Sequence, residues 1–357
     1  MNGARSRLDP RLVAIFTGGL ALAVWPLFGS SAAQAWGAIA ASWLFVTGAA
    51  LGCVALSAAS RIAAARFADR LLPFCERAEA FLPWSFGVLA LLILAGPHWL
   101  PWMSQPVALS RRWWLNPTTF AIRELGATAL LFWLARRCVR APRSSLRPAI
   151  IFVLAFAAIL TVWAVDFILA LDREWVSALI GAYYFMGSFL AGVALASLRA
   201  SASTESDDLR HDTGKLLFGF SVFWAYLFWA QFLTIWYGNL PAEIGFVVRR
   251  EHEPWLPFAL AAIVLVFILP FGALMREVAK RRPWILSSCA VGILAGLWLN
   301  LYVLIAPSLG PLPSVGSISA GLGSLICLGA LLGRAFSSKE RPADSSNPSH
   351  APGILPA

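Results

Sequence analysis

The chain has 357 residues, of which 59% are apolar and 13% charged, against about 25% charged in an ordinary soluble domain. That composition excludes a soluble globular fold and points to a membrane protein whose 17 Trp and 24 Phe supply aromatic belts at the bilayer surfaces. The net charge of +10 serves to orient the chain in a bilayer rather than to bind nucleic acid, for which no module is visible.

About 20 apolar residues cross a bilayer as a helix. Ten such runs occur, at 12–28, 36–58, 81–97, 117–136, 148–170, 175–198, 214–236, 255–275, 284–306 and 315–334. The first follows Arg5, Arg7 and Arg11, and Ala33-Gln34-Ala35 resembles a signal-peptidase site, so a cleaved signal is one alternative. The run is long for a signal core and leads straight into the next apolar segment, which favours a retained helix. Asn116-Pro117 reads as the cap and first turn of the fourth segment. The seventh starts behind His211, Asp212 and Lys215, where Asp212 is expected to cap it. Pro270 interrupts the eighth. The tail from 337 to 357 is rich in Ser, Pro and charge and reads as disordered.

Positive charge alternates along this order. With both termini inside, the outer loops hold only Arg111, Arg112, Arg173, Arg249 and Arg250; Arg123 lies within a segment, and the rest of the 28 basic residues fall inside. A multi-pass membrane protein with both ends cytoplasmic is therefore expected. The fold class expected is all-α, with about ten transmembrane helices.

Histidine limits the chemistry. His98, His211, His252 and His350 are the whole supply, and none sits mid-segment, so a haem between facing His pairs cannot be built. Cys53, Cys75, Cys138, Cys289 and Cys327 form no CxxC. No metal or covalently bound cofactor is expected.

Charges buried within segments are usually paired or functional. Arg123 and Glu124 lie within the fourth segment and Asp166 within the fifth. By helical rise Arg123 lies about 9 Å and Asp166 about 7 Å below the same surface, so an ion pair between neighbouring helices is geometrically plausible. Gln231 and Asn300 fall at a similar depth. The outer rim adds Asp172, Asn239, Glu243, Arg249 and Arg250, read as solvated or facing a partner. Trp163, Phe228, Trp236 and Tyr237 are aromatic residues that could wall an apolar slot beside this polar layer. No internal repeat is evident by eye.

The stretch HDTGKLLFGFSVFWAYLFWAQFLTIWYGNLPAEIGFVVRR, from His211 to Arg250, resembles the second membrane subunit of bacterial quinol:cytochrome c oxidoreductase, the alternative complex III. NPTTFAIRE from Asn116 and DFILALDREWVSALIG from Asp166 resemble two further segments of that family. The resemblance implies a polysulfide-reductase-like membrane anchor with two four-helix bundles plus peripheral helices. It also implies a sister membrane subunit, iron–sulfur and cytochrome c subunits as partners, quinol as the ligand, and a quinone-facing or proton-conducting role. The positions it carries over are Arg123, Asp166, Asp172, His211, Asp212, Gln231, Asn239 and Glu243. The chain departs from the family at Ser57-Ala58-Ala59-Ser60, Val266 and Asn300, where His, His and Asp are usual, which weakens proton conduction. A secondary transporter with the intramembrane charges as its substrate or proton site is the alternative reading.

Overall fold

The computed structural model of the protein describes residues 10–65, 68–105, 109–172, 175–202, 207–239 and 241–337. Among these every regular element is helical, and eight helices are long and apolar enough to cross a membrane. The protein is an all-α polytopic membrane protein.

A helix lies on each of the ten apolar runs. We number them α1 (Pro10–Val24), α2 (Ala32–Ile62), α3 (Leu82–Leu94), α4 (Pro117–Arg140), α5 (Arg147–Phe167), α6 (Ile180–Ala202), α7 (Asp207–Gly238), α8 (Leu256–Leu274), α9 (Pro283–Ile305) and α10 (Val315–Ser337). Several ends differ from the sequence reading. α6 begins at Ile180 rather than near 175, and the first run ends in a 3-10 turn over Trp25–Phe28. α7 starts at Asp207, so Asp212 is an interior residue paired with Lys215 at 3.5 Å and caps nothing. Asp207 and Asp208 occupy the first turn instead, where negative charge suits the helix dipole. The tail expected to be disordered lies outside the described residues.

Two closed rings of four helices make up the body. In the first α2, α3, α4 and α5 each pack on the next; in the second α6, α7, α8 and α9 do so, while α10 lies on α2 and α1 on α10. The rings meet where α2 crosses α6. Small residues permit this, as they do generally where membrane helices approach closely. A Cβ on Gly52 would collide with the carbonyl oxygen of Ser188, and one on Gly192 with the backbone of Gly52 and Cys53.

The crossing also exposes a repeat. Gly48-x-x-Leu51-x-x-Val54-Ala55-Leu56 on α2 has the same pattern as Gly187-x-x-Leu190-x-x-Val193-Ala194-Leu195 on α6, and each opens a ring of four helices. The motif is short and its residues are common in membrane helices, which is why it is inconspicuous without the fold.

Pro270 does not break α8. A π-turn at Val264–Ile268 precedes it and absorbs the missing backbone donor, a usual cause of local irregularity in a membrane helix.

Candidate functional site

The Asn116 side chain accepts the Thr118 N–H at 2.9 Å and Pro117 fills the first turn, which fixes where α4 starts and so where Arg123 stands. From there Arg123 reaches α5. Its Nε donates to Asp166 Oδ2 at 2.8 Å, and its Nη2 lies 2.6 Å from the same oxygen. The second oxygen, Oδ1, accepts the indole N–H of Trp114 at 2.7 Å. Trp114 also accepts from Arg123 Nη1 through its carbonyl at 3.3 Å and offers its ring face to the guanidinium at 3.9 Å. Arg123, Asp166 and Trp114 thus form one closed unit across two helices and the turn before them.

Glu124 completes the cluster. Glu124 and Asp166 are both wholly buried, and Glu124 Oε1 lies 4.0 Å from Arg123 Nε. Among the described residues neither oxygen of Glu124 has a hydrogen-bond partner. One guanidinium therefore serves two carboxyl groups, and the cluster balances its charge only when it retains one proton. One turn further, Thr128 accepts the indole N–H of Trp163 at 3.1 Å.

Asn300 and Gln231 belong to the second ring. Tyr183 donates to Asn300 Oδ1 at 2.7 Å, beside a cavity of about 20 Å³ lined by both tyrosines 183 and 184; such a space admits one water. Tyr184 donates to the Leu44 carbonyl at 3.0 Å and stands within electrostatic reach of Glu124. Polar groups therefore lead from the first ring to the second. Gln231 is buried, and its Oε1 has no hydrogen-bond partner among the described residues.

Three rim residues, Asp172, Arg249 and Arg250, bond to protein groups. Asp172, nearly buried after the 3-10 turn Leu169–Leu171, forms an ion pair with Arg249 of the short helix Pro241–Glu251. Arg250 is buried; it donates to the carbonyls of Val303 (3.0 Å), Leu304 (2.7 Å) and Phe246 (2.8 Å), and so caps the end of α9. Burial pushes its pKa down to about 9, which leaves it charged at neutral pH. Trp175 stacks on Phe246 at 3.5 Å and helps fix the short helix.

Beside the Asp172–Arg249 pair opens a cavity of about 480 Å³, walled by His98, Trp99, Leu100, Gln105, Leu171 and Leu309 among others. It lies where the loop helices after α3 meet the end of the second ring.

Other expected positions do not join this end. His211 lies at the far end of α7, its Nε2 3.4 Å from Glu277, which also pairs with Arg281 at 3.2 Å. Hydrogen bonding from Arg281, and then the charges of His211 and Arg281, hold the Glu277 carboxyl below its usual range. Asn239 is exposed and left-handed (φ 46°) just beyond α7, a common way for a helix to end. The Glu243 side chain lies outside the described residues. The four aromatics do not wall one slot: Trp163 is buried in the first ring, Phe228 stacks on Trp224 at 5.9 Å, and Trp236 and Tyr237 are exposed.

Sequence reasoning missed Trp114, the pairing of Arg249 and the burial of Arg250. Trp113-Trp114 just ahead of the Asn116 cap was the available signal for the first. Among the described residues no group of three His, Cys, Asp or Glu could hold a metal ion. No protein-family model matches the chain, and no curated protein does so either.

Proposed function

We propose that the protein is an integral membrane subunit of a quinol:cytochrome c oxidoreductase complex, contributing a quinone-facing or proton-conducting module. One observation carries the reading. The three sequence blocks that resemble the second membrane subunit of alternative complex III supply two ion pairs at one end, the buried Arg123–Asp166 pair and the half-exposed Asp172–Arg249 pair.

The cavity beside Asp172 suits a quinone head: Arg249, His98 and Gln105 offer polar groups, and Trp99, Leu100, Leu171 and Leu309 offer apolar wall. A quinol held there would supply two electrons and two protons. Asp172 and His98 are the groups placed to hold or accept a proton, and Arg249 orients an oxygen. Electrons would pass to iron–sulfur and cytochrome c partners. The Glu124 cluster, with Tyr184, the water-sized cavity, Tyr183 and Asn300, gives protons a polar route between the two rings. The resemblance favours a bacterial inner membrane, and the alternation of positive charge favours an outward-facing cavity end.

Recovery of the chain from native membranes with multihaem and iron–sulfur subunits supports this assignment; recovery alone argues against it. In the assembled complex Asp166→Asn should lower quinol oxidation or proton coupling. Unchanged turnover and coupling with normal assembly would reduce Asp166 to a helix-packing residue.

A second reading, a secondary transporter, draws on the repeated α2 and α6 motifs and the π-turn of α8, because many transporters pair repeats with irregular helices. Movement of a solute by the isolated chain in liposomes would favour it.

A further inference from the structure

Between Glu124 and Asp166 the sequence has no acidic residue, yet it carries arginines at 136, 137, 140, 143 and 147. All five are exposed and cluster where α4 ends and α5 begins, at the end opposite the cavity. Arg143 lies in the field of Glu76. No ion pair among the described residues engages the other four.

The frame that presents them is fixed. Arg61 of α2 reaches into the turn and donates to the carbonyls of Cys138 and Pro142, each at 2.9 Å. The turn is therefore anchored from inside, while its arginines point outward.

Directly beyond the arginines, both helices show apolar side chains to the exterior. Leu130 and Trp133 are about half exposed on α4, as are Ile151 and Leu154 on α5, and the two helices pack side by side. Arg137 lies over the Trp133 ring at 5.2 Å, at the junction of the charged and apolar surfaces. Guanidinium groups bind phosphate oxygens through paired N–H donors. An acyl chain needs the adjoining apolar stripe; a free anion does not. Basic clusters at this level of a membrane helix are recognised sites for anionic lipid heads.

We propose that the α4–α5 turn is a binding site for an anionic phospholipid, with its phosphate groups on Arg136, Arg137, Arg140 and Arg147 and its acyl chains along the Leu130, Trp133, Ile151 and Leu154 stripe. The site is independent of any quinone or proton role.

The test uses the full chain, stripped of lipid in detergent, and titrates diphosphatidylglycerol, phosphatidylcholine of matched chains, and inorganic phosphate, with bound lipid counted by native mass spectrometry. Diphosphatidylglycerol should bind, and the other two should not at the same concentration. R136Q/R137Q/R140Q/R147Q should weaken its binding by on the order of 1,000-fold, whereas R276Q/R282Q, which removes exposed charge elsewhere at this end, should leave it unchanged. Should the fourfold variant fail to fold, R137Q/R140Q is expected to weaken binding by about 30-fold. Equal binding of phosphatidylcholine, equal binding of inorganic phosphate, or an equal loss in R276Q/R282Q would overturn the proposal. So would displacement of the lipid by an acidic segment of a copurified protein.

Discussion

Asp166 takes donors on both oxygens from Arg123 and Trp114 while wholly buried, so its carboxylate is held by the protein rather than by water. Removing it leaves the mostly buried Arg123 guanidinium with only the more distant Glu124 carboxyl, 4.0 Å away. Asp166→Ala should therefore destabilise the fold by about 3–5 kcal/mol. Trp114→Phe, which deletes only the indole donor, should cost about 1.5–3 kcal/mol, as expected for a hydrogen bond to a charged group. Thermal unfolding in detergent reads both, and equal stability of Asp166→Ala and wild type would show that the pair adds nothing. Depth alone pointed to the pairing of Arg123 with Asp166, because both positions can be measured from helix ends that the sequence marks. The indole of Trp114 was not legible, since it lies in a turn with no periodicity to orient it. Arg250 was misread as a rim charge for a similar reason: its partners are the Val303 and Leu304 carbonyls, and backbone acceptors leave no trace in a sequence.

Helices were legible where apolar runs are long and uniform, as in α9, and less so where polar residues continue the helix beyond the bilayer. α7 spans 32 residues, or about 48 Å at 1.5 Å per residue, so its first turns rise beyond a hydrocarbon layer of about 30 Å and carry charge. Hydrophobicity marks the bilayer crossing, whereas hydrogen bonding decides where the helix ends. Packing between helices was less visible still. Gly52 and Gly126 look alike in sequence, but Gly52 sits at the α2–α6 crossing and Gly126 has nothing within 4 Å of where a Cβ would lie. Gly52→Ala should force the two rings apart and destabilise by about 1–3 kcal/mol. Gly126→Ala should raise stability by up to about 1 kcal/mol through helix propensity. Unfolding midpoints of the two variants, compared with wild type, check the contrast; similar values would mean that the crossing yields without cost.

At the scale of the whole molecule, charge and architecture divide the protein into two unlike ends. One end carries the cavity, the Arg123–Asp166 and Asp172–Arg249 pairs and few basic residues, and Arg249 and Arg250 there are bonded to Asp172 and to backbone carbonyls. The other end carries exposed arginines on the α4–α5 turn, Arg276 and Arg282, and the end of α10. This asymmetry is the one that the linear order of charges suggested. Basic loops stay on the cytoplasmic side. A phosphatase reporter that is active only after export should therefore be silent when joined after Ser337 and active when joined after Gln105, which borders the cavity. Activity at Ser337 with silence at Gln105 would invert the molecule and place the Arg123 cluster and the cavity on the cytoplasmic side.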